Sequence, residues 1–260
     1  MKLLLISGHG AGDGGASGQY GGRTYQEATE TRRVTADVAR DLAGDCAVTI
    51  YPTARNAFAD YQAGVLDEIA HFDRYDYVLE IHFNALRQDD GDGKTKGVEC
   101  YVPRDEPETA VEEDIVRNVA ACGFTNRGVK RRDWSVIRAA WRAGTPAALL
   151  EVCFIDDADD MAVYLEKREE IAQAIAEGIR QGFSLGEEEP MTYEQFVAWM
   201  DRYLAQRAQE PPAAWSAEAR AWAEEAGIVR GDGAGQMRYR SFVTREETVE
   251  MLYRLSRLEA

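Results

Sequence analysis

Three residues able to bind a metal occur at separate points of the chain. His9 and His82 each follow a short apolar run, and Glu27 opens a segment with helical spacing. Because the carboxyl ends of parallel strands share one edge of a sheet, two histidines placed there can converge on one ion. A catalytic zinc site usually has three protein ligands, often two histidines and a carboxylate, and keeps one position open. Either histidine alone would be interpreted as a hydrogen-bonded structural residue, but as a pair with Glu27 they are candidate zinc ligands.

Glu151 is predicted to be the catalytic carboxylate. It follows the apolar run 147–150 and is predicted to end a strand that is buried on both faces. A carboxylate in that position is costly unless it is paired or has a function. Beside a zinc site it can accept a proton from water and pass it to a leaving amine. The alternative is a structural glutamate in an ion pair.

Other polar residues are weaker predictions. Glu30 lies one helical turn beyond Glu27 and is the rival third ligand. Glu80 lies two residues before His82, so both side chains leave the strand on the same side; it either orients that histidine or forms a plain salt bridge. His71 is predicted to be a solvated or helix-capping residue. The acidic segment 89–93 lacks the final glutamate of a calcium loop and is predicted to be a flexible loop at the rim of the cleft.

The elements that must position these residues alternate between strand and helix. The predicted strands are 3–7, 47–51, 77–81, 98–102 and 147–152, and the predicted helices are 27–43, 61–72, 109–122 and 161–183. Residues 8–22 are glycine-rich and are predicted to form a loop. Apolar strands alternating with helices predict an α/β fold, a twisted and mainly parallel sheet flanked by helices.

A change in composition divides the chain. The predicted domains are a catalytic domain over 1–185, a linker over the acidic segment 186–191, and a small α-helical domain over 192–260. Within the last domain, Thr192 with Gln195 and Thr244 with Glu247 have the spacing of capping boxes at helix starts. They indicate either an internal duplication or two ordinary helix starts.

Composition limits the classes of partner. A net charge of -16 and an isoelectric point near 4.7 argue against binding to nucleic acid or anionic membrane surfaces. The sequence contains no apolar run of about 18 residues, so no membrane-spanning helix is predicted. The apolar run at residues 1–6 is too short for a signal peptide and is predicted to be the first strand. The four scattered cysteines are predicted to be buried free thiols rather than disulfides or zinc ligands.

Four sequence blocks together resemble one enzyme family. Gly8-His9-Gly10, Tyr25-Gln26-Glu27, Ile81-His82-Phe83-Asn84-Ala85 and the run from Leu149 through Glu151 to Ile155 occur in the order and approximate spacing of zinc-dependent N-acetylmuramoyl-L-alanine amidases of the phage endolysin type. The resemblance spans residues 1–183. The segment 127–130 also resembles the family's loop beside the substrate groove. One departure is Glu80, which stands where the family commonly has serine.

The resemblance implies an activity and assigns roles. It implies that His9, Glu27 and His82 bind Zn²⁺ and that Glu151 is catalytic. The implied reaction is hydrolysis, by a zinc-activated water, of the amide between N-acetylmuramic acid and L-alanine of peptidoglycan. The alternatives are a zinc peptidase that cuts another stem-peptide amide, or a wall-binding protein without catalysis.

The C-terminal segment resembles an S-layer-homology repeat. The resemblance rests on the tryptophan-containing stretch 215–229, on Gly231-Asp232-Gly233, and on the stretch 242–247. It implies binding to cell-wall glycans. The alternative is a small helical domain that packs on the enzyme or forms a homodimer. With no signal peptide predicted, we expect synthesis in the cytoplasm of a bacterial host and action on the wall after release.

Overall fold

The computed structural model describes residues 1–89, 91–186, 191–232 and 234–258. The chain divides into two compact units, Met1–Glu187 and Glu188–Ala260. Most of the predicted linker, residues 187–190, lies outside the described residues, so its conformation stays a prediction. Within the described part of the chain, no helix combines the length and the apolar character needed to cross a membrane.

The described residues of the first unit form eight strands, and six of these make up one sheet. The strands are β1 (Lys2–Ser7), β2 (Ser17–Tyr20), β3 (Arg23–Gln26), β4 (Ala47–Ile50), β5 (Tyr77–Asn84), β6 (Val98–Val102), β7 (Asn126–Arg131) and β8 (Ala147–Phe154). The sheet has the order β4-β1-β5-β8-β6-β7, and β2 and β3 form a separate hairpin. Strands β4, β1, β5 and β8 are parallel; β6 is antiparallel to β8, and β7 is parallel to β6. The predicted fold class, a mainly parallel sheet flanked by helices, is confirmed.

Helices cover both faces of this sheet. They are α1 (Glu27–Asp41), α2 (Ala57–Gln62), α3 (Leu66–Ala70), α4 (Ala110–Ala121), α5 (Ser135–Arg142) and α6 (Ala158–Gly182). Along β1, Leu3 and Leu5 belong to the core under α1, α4 and α6, whereas Leu4 and Ile6 belong to the core under α2, α3 and α5. Burial on both faces explains why the strands are continuously apolar instead of alternating.

The polar residues of the strands share one part of one face. In β5, Val78 lies in the core beneath α2, α3 and α5, and the alternation of side chains puts Glu80 and His82 on that same side. Glu151 of β8 is the register partner of His82, and Glu99 of β6 is the register partner of Glu151. The carboxyl-end half of this face is therefore polar.

Several predicted boundaries were wrong. The single helix 61–72 is two helices, α2 and α3, separated at Gly64, whose φ of +73° is incompatible with a continuous helix. The β2–β3 hairpin begins inside the predicted glycine-rich loop, and segment 127–130 is part of strand β7. Strand β8 continues through Glu151 to Phe154, so this glutamate does not end the strand.

The second unit is helical. It contains α7 (Tyr193–Gln209), α8 (Ala217–Glu225) and α9 (Arg245–Ser256). Both predicted capping boxes are confirmed, with Thr192 capping α7 and Thr244 capping α9. Among the described residues of this unit, only Ile228 is a buried hydrophobic residue. Gly233 of the predicted Gly-Asp-Gly loop lies outside the described residues.

Candidate metal centre

The fold brings the three predicted ligands together. His9 lies in the loop after β1, Glu27 is the first residue of α1, and His82 lies in β5, the neighbour of β1. One ligand atom from each residue lies within 4.8 Å of the other two. The rings of His9 and His82 meet edge to face, with centroids 5.0 Å apart.

Glu27 is the centre of this cluster. Its Oε1 lies 2.9 Å from Nδ1 of His82, and its Oε2 lies 3.1 Å from Nε2 of His9. The backbone N–H groups of Phe83 and Ala16 donate to the same two oxygens. Burial alone would raise the pKa of Glu27, but the histidines hold that pKa well below its usual value. Glu27 is therefore a fixed carboxylate anion.

Asp13 and Asn56 orient His9. Asp13 Oδ2 lies 2.8 Å from Nδ1 of His9, and the Asn56 amide donates to the same oxygen at 3.0 Å. This contact leaves Nε2 of His9 facing Glu27. Burial lowers the pKa of His9, yet contact with Glu27 and Asp13 outweighs burial and raises it above its usual value. The sequence prediction did not include Asp13 or Asn56, although Asp13 lies only four residues after the histidine.

Glu80 faces the opposite side of His82. Its Oε1 lies 3.2 Å from Nε2 of His82, although the two atoms are not aligned for a hydrogen bond. Glu80 is 4% exposed, and His82 is its only basic partner among the described residues. Burial lowers the pKa of His82, but Glu80 and Glu27 raise it well above its usual value. The contact is an ion pair with His82, and the choice between the two roles predicted for Glu80 stays a prediction.

Two glycines make room for the histidines. A Cβ on Gly8 would lie 2.4 Å from the ring of His82. A Cβ on Gly15, whose φ is +66°, would lie 2.6 Å from the His9 ring and 2.7 Å from Glu27 Oε2. Any side chain at either position would displace the cluster, so glycine is a packing requirement at these two positions.

The other predicted residues lie apart from the cluster. Glu30 accepts hydrogen bonds from Tyr164 Oη at 2.9 Å and from Arg33. His71 is exposed at the C-cap of α3. In the acidic segment 89–93, whose residue 90 is outside the described set, the N–H groups of Asp92 and Gly93 donate to Asp159. All four cysteines are free, and Cys100 and Cys153 are buried.

Glu151 faces the cluster from the neighbouring strand. Its Oε2 is inaccessible to solvent and accepts no hydrogen bond from any described residue. Burial raises the pKa of Glu151 to about 7, against the opposing effect of His82, and the nearby carboxylates add to the increase. A carboxyl group with a pKa near neutrality can both accept and donate a proton.

A cleft of about 420 Å³ opens over these groups. It is lined by His9, Glu27, His82 and Glu151, and by two aromatic side chains absent from the sequence prediction, Phe58 of α2 and Trp134 before α5. Apolar walls around a few convergent polar groups are typical of small-molecule sites. The periodicity of the sequence could not identify these aromatics, because they come from loops and helix starts.

Glu99 forms a second polar cluster beside Glu151. It is 2% exposed and accepts hydrogen bonds from Asn84 Nδ2 at 2.8 Å, Tyr101 Oη at 2.9 Å, Arg127 Nε at 2.5 Å, and Lys130 Nζ. Burial raises the pKa of Glu99, but the two cations lower it below its usual value. This cluster connects β7 to the polar face of the sheet.

Comparison with known proteins identifies the fold. The catalytic domain of CwlV, an N-acetylmuramoyl-L-alanine amidase from Bacillus (Paenibacillus) polymyxa var. colistinus, is 26% identical, with a TM-score of 0.57 over 71% of this chain and 99% of that chain. Cwp6 from Clostridium difficile is 24% identical, with a TM-score of 0.57 over 70% of this chain and 29% of that chain.

Comparison of sequences gives a relative and a family. An uncharacterised protein of Clostridium perfringens is 26% identical over 184 residues, which are 70% of this chain and 52% of that protein. The chain thus spans about half the length of this relative, and less of Cwp6. The family model described as N-acetylmuramoyl-L-alanine amidase matches residues 3–181, a range that includes all four clustered residues. The chain belongs to the N-acetylmuramoyl-L-alanine amidase family.

Proposed function

We propose that the first unit is a zinc-dependent amidase that hydrolyses the bond between N-acetylmuramic acid and L-alanine of bacterial peptidoglycan. The observation that carries the proposal is the convergence of His9, Glu27 and His82 opposite Glu151, within the segment matched by the family model. Two imidazoles and one carboxylate match the donor set of catalytic zinc sites. A zinc ion bound there would supply Lewis acidity, which polarises a carbonyl and acidifies water.

The residues of the chain would bind the ion, orient its ligands and transfer the proton. His9, Glu27 and His82 would hold the ion, while Asp13 and Glu80 orient the two histidines. Glu151, which lines the cleft, would accept the proton of the attacking water. It would then donate that proton to the alanine nitrogen as the carbon–nitrogen bond breaks, giving a lactyl carboxylate and a free amine.

Product analysis tests this activity. Purified sacculi are digested with the full-length protein, and the fragments are identified by mass spectrometry. The proposal expects free stem peptides that begin with L-alanine and glycans that retain intact lactyl groups. Cuts elsewhere in the stem peptide would favour the alternative of a zinc peptidase. Binding without any product would favour the alternative of a non-catalytic wall protein.

For the second unit we propose wall-glycan binding. The support is a set of exposed aromatic residues, with Trp215 89% exposed and Trp222 55% exposed, suited to stacking on sugar rings. A cleft of about 340 Å³ lined by Arg230, Arg238 and Tyr239 lies in the same unit. In the full-length protein, Trp215→Ala should weaken co-sedimentation with sacculi while leaving hydrolysis of small soluble muropeptides unchanged. Equal sedimentation would contradict glycan binding through this residue.

The scarcity of buried residues in this unit supports a homodimer as the alternative. Its helices expose Phe196 and Trp199 of α7 and Leu252 and Tyr253 of α9. Large exposed apolar surfaces are often covered by a partner. Light scattering of the full-length protein measures the mass directly, and a monomer at all concentrations tested would exclude the dimer.

An endolysin role is the biological setting that we propose. In this setting the protein accumulates in the cytoplasm of the bacterial host and reaches the wall after release. Lys2–Ser7 forms β1, a strand inside the sheet, which supports the prediction that this apolar run belongs to the folded domain. Expression in a bacterium should leave cells intact until the membrane is permeabilised. Lysis without permeabilisation would contradict this role.

A further inference from the structure

A concentration of positive charge lies beside the cleft of an otherwise acidic protein. The segment 126–132, which comprises β7 and the residue after it, contains four cations and no carboxylate, whereas the whole chain has a net charge of -16. Strand β7 is the edge of the six-stranded sheet on the β8–β6 side. The charge is therefore localised on the side of the sheet beyond Glu151.

Three of these cations face the polar side of the sheet. Lys130 pairs with Tyr101 in register, and its ammonium lies over that ring and on Glu99. Arg127 also binds Glu99, and Arg132 lies over the ring of Trp134 at 3.8 Å. Trp134 lines the cleft. The fourth cation, Arg131, donates to the backbone oxygen of Glu106 instead.

These three cations outnumber the carboxylates that pair with them among the described residues. Two of them share the single carboxylate of Glu99, and the guanidinium of Arg132 makes no hydrogen bond or ion pair with any described residue. The aromatic ring beneath Arg132 holds its position without reducing its charge. Exposed N–H donors with a net positive charge, fixed at the side of a cleft, are the features of a carboxylate-binding subsite.

We propose that Arg127, Lys130 and Arg132 bind a carboxylate of the leaving peptide, near the second residue after the scissile carbonyl. This inference rests on the proposed function. Two strand spacings, roughly 9.5 Å, separate β8, which carries Glu151, from β7. Two extended residues span about 7 Å. The side chains of Arg127 and Lys130 extend from β7 to Glu99 on β6 and cover the rest, so a carboxylate attached to the second residue can reach them. Peptides in which this carboxylate is amidated lose the charge and are the poorer substrates.

The test compares two soluble substrates in the same enzyme. One is N-acetylmuramoyl-L-alanyl-D-glutamate with its γ-carboxylate blocked as an amide, and the other carries a carboxamide in place of its α-carboxylate as well, so that the two differ in a single charge. Wild type should show a kcat/KM at least about tenfold higher for the carboxylate, because a hydrogen bond to a charged group contributes that much. In Arg132→Gln and in Lys130→Gln the ratio should fall towards one. A ratio measured within one variant does not depend on how much of that variant is folded.

The control is Arg142→Gln, which removes one charge from an exposed residue in the last turn of α5 that forms no ion pair with described residues. It should keep the wild-type ratio. Equal kcat/KM values for the two substrates in wild type, or a preference that survives in both Arg132→Gln and Lys130→Gln, would overturn the subsite while leaving the amidase activity in place. Failure of wild type to cut either substrate at the muramoyl–alanine bond would overturn the proposed function, and the subsite with it.

Discussion

Asp13 Oδ2 lies 2.8 Å from Nδ1 of His9, and the other oxygen of Asp13 accepts the N–H of Gly15. The Asn56 amide also donates to Oδ2, so both oxygens of this carboxylate are occupied as hydrogen-bond acceptors. In Asp13→Asn, either orientation of the amide turns its NH₂ group against a donor. We therefore expect His9 to lose its fixed orientation and zinc affinity to fall about 10- to 100-fold.

Competition with a metal chelator measures that affinity. Asp67→Asn is the matched control, because Asp67 is exposed in the first turn of α3 and its side chain has no described partner. It should bind zinc as wild type does. If both variants bound zinc equally well, Asp13 would have no orienting role.

Glu27 and Glu30 lie on the same helix but should respond differently to substitution. Glu27→Ala should leave the protein without stoichiometric zinc, because it removes the carboxylate that contacts both histidines. Glu30→Ala should keep the zinc. It should nevertheless destabilise the fold by about 1–3 kcal/mol, since the buried Tyr164 hydroxyl loses its acceptor. Elemental analysis and thermal unfolding separate the two effects, and zinc loss in Glu30→Ala alone would reassign the third ligand.

Glu151→Gln tests the proton-transfer role. The amide keeps the shape of the side chain but cannot accept a proton from water. We expect kcat to fall by about 10²- to 10⁴-fold with zinc content unchanged, the usual contribution of a positioned general base. Turnover of defined muropeptides measures the loss. Near-wild-type rates in a variant with full zinc would make Glu151 a structural acid.

The sequence predicted that His9, Glu27 and His82 would lie close together, because this proximity depends on few long-range contacts. His9 and His82 belong to adjacent parallel strands, so their convergence follows once β1 and β5 are recognised as neighbours. Glu99 could not be found in this way. It reaches Glu151 only because β6 enters the sheet antiparallel to β8, and no local pattern in the sequence specifies that direction.

The same distinction explains why the sequence did not predict the break between α2 and α3 or the contact between Asn56 and Asp13. The apolar residues of segment 61–72 have helical spacing, but Gly64 adopts a positive φ that separates two helices. The spacing of apolar residues carries no information about this backbone angle. Asn56 meets Asp13 across 43 positions of sequence through the packing of α2. Contacts of that kind depend on how layers pack together, whereas the order of strands and helices depends on local composition.

The burial of Glu112 predicts how the stability of the folded protein depends on pH. It is buried in α4 and accepts a hydrogen bond from Tyr77 Oη, and burial raises its pKa to about 7 from a usual value near 4.5. A group whose folded pKa is raised binds more protons in the folded state between these two values. Its favourable contribution is therefore complete below about pH 4.5 and is lost as the pH rises through about 7.

Glu112→Gln should remove this dependence, because glutamine keeps the hydrogen bond and cannot ionise. Above pH 7 the variant should be more stable than wild type by up to about 3 kcal/mol, from 1.36 kcal/mol per pKa unit, and near pH 4.5 the two should be alike. Urea unfolding at both pH values measures the difference. Glu113→Gln, a change at the neighbouring residue of the same helix whose side chain accepts a hydrogen bond from the Thr109 hydroxyl, is the control and should follow wild type. A difference between Glu112→Gln and wild type that is the same at both pH values would mean that Glu112 does not titrate in this range.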